Sequence, residues 1–261
     1  VVHLWGIDAQ TPAGEEGCDE RMESLSLCTG LLHLVQALVD PAVAMPPSLS
    51  LVTRQAVSAD GTERLDSGLA QSPLWGLAQV IAAEHPELRC LRIDLDSGLE
   101  EIDALCDEIV RPGREDRIAL RGHTRYEARL VPWRNGEGVD FQAPRIRADG
   151  SYLISGGLGG TGLKIADRLL KQEAGQVVLL GRSGRPAEGT SAAAALQQWE
   201  KAGANVIVVR ADASRRSDLK EVLAAINTLK FPLKGVIHAA GVFEDRLLAD
   251  HQGDLFRRVF A

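Results

Sequence analysis

The glycines at 157, 159 and 162 are the residues of this chain whose spacing most directly suggests chemistry. They stand within Tyr152-Leu153-Ile154-Ser155-Gly156-Gly157-Leu158-Gly159-Gly160-Thr161-Gly162. An apolar run precedes them, and Leu163, Ile165, Ala166, Leu169 and Leu170 follow at helical spacing. Strand, glycine turn, helix is the context in which G-x-G-x-x-G holds a dinucleotide. Glycine lets the backbone turn tightly and approach a pyrophosphate closely. The free N–H groups and dipole of the helix start favour its negative charge. A glycine turn without a ligand is the bland alternative, and the flanking elements weigh against it.

Further along, three strand ends carry candidate contacts. The second strand ends in Leu180-Gly181-Arg182-Ser183. Sites that bind NAD place an acid about 20 residues after the glycine loop, on the ribose hydroxyls. Here that position holds Arg182, which suits a 2′-phosphate through charge-assisted bonds, and Ser183 adds a hydroxyl. The expected cofactor is therefore NADPH; a solvated surface arginine is the alternative. The third strand ends in Arg210-Ala211-Asp212, followed by Ala213, where Asp212 could accept from the adenine amino group or simply close a turn. The fourth gives His238-Ala239-Ala240-Gly241, whose small residues allow a cofactor close to the backbone. His238 reads as a structural histidine at a strand end rather than a base.

These contacts need a parallel sheet to bring them together, and the pattern predicts one. Strands are expected over 152–155, 177–180, 205–209 and 236–239, with helices over 163–170, 192–202 and 218–229 between them. The first half also alternates strands and helices. It has strand-like 1–8, 49–56 and 89–95, helical 20–39 and 102–110, a helix begun by Ser72 as N-cap with Pro73 at its first position, and a strand pair at 117–120 and 124–131. Between the halves, 132–150 has prolines, glycines and no apolar periodicity, which marks a boundary.

Bulk composition narrows the class. Aromatic residues make up only 4% of the 261, so any core is mainly aliphatic. A net charge of −7 gives no basic face for nucleic acid. No apolar run reaches the ~18 residues of a membrane span. Cys18, Cys28, Cys90 and Cys106 have neither CxxC nor metal-ligand spacing, and read as reduced, mostly buried thiols of a cytoplasmic protein. The chain opens on Val1 inside an apparent strand and stops at Ala261 inside an apparent helix, so a fragment of a longer polypeptide is expected.

The residues quoted above resemble a known family. Ser155-Gly156-x-x-x-Gly160-x-Gly162 resembles the TGxxxGxG loop of short-chain dehydrogenases, with Ser for Thr, and His238-Ala239-Ala240-Gly241 resembles their NNAG element. Together with Gly181-Arg182-Ser183 they look like the ketoreductase domain of modular polyketide synthases. Trp75-Gly76-Leu77-Ala78, Glu84-His85-Pro86 and Arg92-Ile93-Asp94-Leu95-Asp96 resemble that domain's structural subdomain, a truncated Rossmann unit that binds no cofactor. The resemblance implies an α/β fold of two side-by-side Rossmann-like units. Residues 1–140 would form the structural unit. Residues 141–261 would form the first half of an NADPH-binding unit, incomplete at its C-terminus. Cofactor contacts would come from Ser155, Gly157, Leu158, Gly159, Gly160, Gly162, Arg182, Ser183, Asp212, Ala213, Ala239, Ala240 and Gly241.

It also implies a reaction: NADPH reduces the β-keto group of a 3-ketoacyl thioester on the phosphopantetheine of an acyl carrier protein, beside other domains of the same synthase. The family's catalytic Lys, Ser and Tyr are expected beyond Ala261, after a helix beginning near Leu247. Tyr126 and Tyr152 are the only tyrosines and neither fits, so no catalytic residue is assigned and the chain alone is expected to be inactive. Phe243-Glu244-Asp245 stands where B-type members carry LDD, a lean towards the D-alcohol; an acidic turn ahead of the helix is the equal alternative. A pseudo-ketoreductase scaffold is the competing function, disfavoured by the intact loop and Arg182. A stand-alone reductase is disfavoured by the long segment before the loop.

Overall fold

A computed structural model describes residues 1–8, 18–61, 68–96, 98, 101–132 and 145–260, without the side chains of 18–20. The chain divides into two compact units, Val1–Trp133 with Phe243–Ala261, and Arg134–Val242.

The first unit is built on a five-stranded sheet in the order β1 (Val2–His3), β2 (Ser50–Arg54), β3 (Leu91–Leu95), β4 (Arg117–Arg121), β5 (Thr124–Glu127). The first four strands run parallel, and β5 returns antiparallel to β4. Parallel neighbours need crossovers, supplied by α1 (Cys18–Leu38), α2 (Ser72–Glu84) and α3 (Ile102–Val110). Side-chain alternation along the strands feeds two apolar layers. Leu49 and Leu51 meet Leu31, Leu32 and Val35 of α1 and Leu74, Ala78 and Ile81 of α2. Val52, Ile93, Leu95 and Ile118 pack with Leu105 and Ile109 of α3.

Asp94 of β3 points away from the α3 layer and is fully buried, which is tolerable only with partners. It has them. Thr53 Oγ1 donates to Asp94 Oδ1 at 2.5 Å, the Ala56 amide donates to the same oxygen at 2.9 Å, and the Arg121 guanidinium donates to Oδ2 at 2.8 Å. Trp75 Nε1 in turn donates to Thr53 Oγ1 at 2.9 Å, joining α2 to the network.

Two local expectations change. The N-cap position of α2 belongs to Gln71, and Ser72 lies inside the helix. A 3₁₀ turn over Leu69–Gln71 already engages the Ser72 amide, which leaves Ser72 Oγ to donate to Ala56 O at 2.7 Å. The opening strand, expected over 1–8, is two residues long.

In the second unit the sheet order is β8 (Val206–Arg210), β7 (Gln176–Gly181), β6 (Ser151–Ser155), β9 (Leu233–His238), all parallel. The chain steps outward from β6 to β8, then crosses back to lay β9 on the free side of β6. Helices α4 (Gly160–Lys171) and α5 (Ser191–Lys201) cover one face through Ala166, Leu169, Leu196 and Trp199 against Ile154, Val177 and Leu179. Helix α6 (Arg216–Asn227) covers the other through Val222 and Ile226 against Leu153, Val178 and Leu180. Strand β9 is at the sheet edge, with Val236 60% exposed.

After β9 the chain joins the first unit. Helix α7 (Gly253–Phe260) sets Phe256 and Phe260 against the α1–α2 layer, and Leu248 is buried in it. Gln36 Nε2 donates to the carbonyls of Leu248 and His251, both at 2.9 Å, and Glu84 Oε2 accepts from the Leu248 amide at 2.7 Å. The sequence division places 141–261 in one unit and begins this helix near Leu247. In the structure the helix starts at Gly253 and 243–261 group with the first unit, because the apolar face of α7 finds its cover on α1 and α2. The expected boundary at 140/141 lies outside the described residues.

Two outcomes follow. Asp94→Ala removes the carboxylate that faces the nearly buried Arg121 guanidinium and that accepts from Thr53 and the Ala56 amide, and should cost about 3 kcal/mol in urea unfolding; a loss under about 1 kcal/mol would refute the network's role. Burial pushes the Cys28 and Cys90 thiols up to about 11, so at neutral pH they are protonated, whereas Cys106 is exposed. Peptide mapping after iodoacetamide should therefore find Cys106 modified in the native protein, and Cys28 and Cys90 only after unfolding.

Candidate functional site

The order β8-β7-β6-β9 makes β6 the strand at which the winding reverses, and ligands of open α/β sheets bind outside the carboxyl ends at such a point. The glycine loop leaves β6 there. Three of its glycines are fixed by internal packing. A Cβ on Gly156, whose φ is 66°, would lie 2.7 Å from the Ala239 carbonyl oxygen and from the Ala240 amide. On Gly157 it would meet Leu179 at 2.8 Å, and on Gly162 the Gly156 oxygen at 2.4 Å. The loop, the start of α4 and the Ala239-Ala240 segment thus share one space.

Gly160 is different. It is exposed, and a Cβ there would meet nothing within 4 Å. Packing gives no reason for a bare residue at this position, whereas close approach by a ligand does. The same spot holds the start of α4, whose N-cap Gly159 offers no side-chain bond and whose first turn has no acid. Its leading N–H groups are left for an anion. By contrast α5 is closed by Thr190, whose hydroxyl accepts from the Ala193 amide.

Ser155 and His238 face each other across β6 and β9, with Oγ and Nδ1 2.5 Å apart, and the Ala239 amide donates to Ser155 O at 3.0 Å. The Ser155 hydroxyl is therefore engaged within the sheet. The pair ties the last residue of β6 to the entry of the His238-Ala239-Ala240-Gly241 turn.

On the other side, Arg182 and Ser183 are exposed in the turn that follows β7. Leu158 packs over its first residue, Gly181. The turn closes through the Gly184 amide on Gly181 O. Asp212 Oδ1 accepts from the Ser214 amide and hydroxyl at 3.0 and 2.9 Å. Those bonds first, then the nearby charges of Arg215 and Arg182, hold its carboxyl below the ordinary value, so it is ionised at neutral pH. Ala213 and the segment 239–240 are half-buried beside these groups. Sequence reasoning gives no role to Asp218, which accepts from the Asp212 amide at 2.9 Å, or to Arg210.

The remaining candidates lie elsewhere. Phe243 is 86% exposed, Asp245 is exposed, and Glu244 accepts from Arg258 of α7 at 3.2 Å within the first unit. Tyr152 is buried in β6, its hydroxyl accepting from the Arg147 amide, and Tyr126 lies in β5. Among the described residues of the first unit, the ends of β2 and β4 are bonded by the unit's own groups. The Gln71 amide bonds both the N–H and the C=O of Arg54, and Arg121 donates to Val57 O. Among the described residues no His, Cys, Asp and Glu cluster could hold a metal, and no helix is long and apolar enough to cross a membrane.

Comparison with known proteins places both units. Residues 150–261 match the family described as KR domain, and residues 5–130 match the Rossmann fold domain of polyketide synthase extender module SpnB. A phenolphthiocerol/phthiocerol polyketide synthase of Mycobacterium tuberculosis is 35% identical over 95% of this chain, which spans 14% of that protein. The 6-methylsalicylic acid synthase of Arthrobotrys oligospora is 31% identical over 98% of this chain and is likewise spanned over 14%. A solved structure of A-type ketoreductases from a modular polyketide synthase is 34% identical, with a TM-score of 0.70 over 88% of this chain and 47% of its own.

The glycines should separate on substitution. Gly162→Ala forces backbone apart and should lower stability by about 2 kcal/mol or more. Gly160→Ala should leave the melting temperature unchanged or slightly raised, since alanine is the better helix residue, yet weaken dinucleotide binding in a fluorescence titration. Equal binding by the Gly160→Ala protein would remove this position from the site.

Proposed function

The chain belongs to the ketoreductase domain family of polyketide synthases, and on that premise we propose that it supplies the structural unit and the NADPH-binding half of a domain that reduces the β-keto group of a 3-ketoacyl thioester. In this reading the substrate is carried by the phosphopantetheine arm of an acyl carrier protein, within a synthase whose other domains act on the same chain. The observation that carries the cofactor choice is Arg182. It follows the end of β7, where an NAD site would present an acid to the ribose hydroxyls, and among the described residues no carboxylate lies within 4.0 Å of it.

The residues fit such a group. The bare Gly160 surface and the uncapped start of α4 suit the pyrophosphate, Arg182 and Ser183 the 2′-phosphate, and ionised Asp212 the adenine amino group. A nicotinamide cofactor supplies hydride when bound. What this chain contributes is position. Gly156 and Gly162 set the turn, the Ser155–His238 pair aligns the 239–241 segment, and Leu158 closes over the end of β7. Neither tyrosine stands at the glycine loop to protonate an alkoxide: Tyr152 is buried within β6 with its hydroxyl accepting from the Arg147 amide, and Tyr126 lies in β5 of the first unit. The chain by itself is therefore expected not to reduce a ketone.

Titration of the complete polypeptide with NADPH and NADH tests the reading. NADPH should bind at least about tenfold more tightly, and Arg182→Ala should erase most of that preference, the scale of one charge-assisted bond. Equal affinities in the unaltered protein would refute the NADPH assignment. Failure of both to bind would favour a non-catalytic ketoreductase scaffold.

A further inference from the structure

Arg210 ends β8 as Arg182 follows the end of β7. The two strands are hydrogen-bonded neighbours, with Gly181 in register with Arg210. Arg210 is not a distant surface residue that happens to be basic. Its Nε donates to the Arg182 carbonyl oxygen at 3.3 Å, and its Cβ lies 3.2 Å from where a Cβ of Gly184 would be. The aliphatic stem therefore runs beneath the turn that presents Arg182 and Ser183, and the guanidinium emerges at its rim.

Both arginines are exposed, and among the described residues neither has a carboxylate within 4.0 Å. Asp212, in the neighbouring loop, is occupied by Ser214 and feels the charges of both Arg215 and Arg182, without a direct ion pair to either. Adjacent strands are about 4.8 Å apart, so two cations at their ends repel unless an anion lies between. Planar guanidinium forks are suited to the several oxygens of a phosphate. This holds only if the NADP reading above holds, since it concerns the same site.

We propose that Arg210 is a second contact of the 2′-phosphate, forming with Arg182 a two-arginine clamp that sets the preference for the phosphorylated dinucleotide. The rival role is support of the turn through the Nε bond alone. The two differ in what a substitution leaves behind. Arg210→Lys keeps the charge and loses the Nε bond; Arg210→Gln keeps a donor and loses the charge.

The test uses the complete polypeptide and two probes that differ only in the 2′-phosphate, 2′,5′-ADP and 5′-AMP, titrated calorimetrically, with melting temperatures as a check on folding. Arg210→Gln should weaken 2′,5′-ADP about tenfold and leave 5′-AMP unchanged, while Arg210→Lys stays within about threefold of the unaltered protein. Unchanged 2′,5′-ADP binding by Arg210→Gln would overturn the clamp. So would equal weakening of both probes, or an Arg210→Lys protein as weak as Arg210→Gln. If the unaltered protein does not prefer 2′,5′-ADP to 5′-AMP, the NADP reading itself fails and the clamp with it. A preference lost in Arg182→Ala but kept in Arg210→Gln leaves that reading standing and rejects only the clamp.

Discussion

A Cβ at Gly162 would sit 2.4 Å from the Gly156 carbonyl oxygen, and this close backbone contact governs the rest of the second unit. It brings the first turn of α4 directly over the end of β6. Because β7 and β9 flank β6, the contact also fixes how the Gly181–Gly184 turn and the Ala239-Ala240 segment stand around the helix start. Any side chain at 162 would lift α4 and separate groups that belong to different strands. The candidate site is thus a consequence of strand order and of a contact only glycine permits.

The first unit uses the same elements to another end. Its strands follow one another across the sheet without a reversal, so among the described residues it lacks the switch point at which such sheets open a crevice. Among the described residues its strand ends carry the Gln71 amide on Arg54, Asp94 with Thr53 and Ala56, and Arg121 on Val57. Helices α1 and α2 turn an apolar layer to Leu248, Phe256 and Phe260. One unit ties its strand ends with internal polar bonds, whereas the other leaves the N–H groups of a helix start uncapped and two guanidinium groups with no carboxylate within 4.0 Å among the described residues.

Much of this is legible in the sequence because it is local. The glycine spacing between an apolar run and a helical pattern locates the loop, and the strand-end position of Arg182 can be counted from it. Element types follow from the pattern to within a few residues at most ends. What escapes depends on distant neighbours. Ser72 looks like a cap because its true partner, the Ala56 carbonyl, is brought close only by the fold. The apolar stripe of α7 announces a helix, but periodicity does not say which surface will cover it, so the sequence alone groups the segment after 242 with β9 rather than with α1 and α2. The Ser155–His238 pair exists because β9 returns beside β6, and Arg210 gains a role only because β8 lies beside β7.

The two units differ, at root, in whether their strand ends are free to receive a ligand. Amide hydrogen exchange on the complete polypeptide, with and without NADP⁺, tests that difference directly. Added protection is expected at 157–163, 182–184, 212–214 and 239–241, and none at 55–57 or 121–123. Equal protection at the first unit's strand ends, or unchanged exchange across the glycine loop, would contradict it.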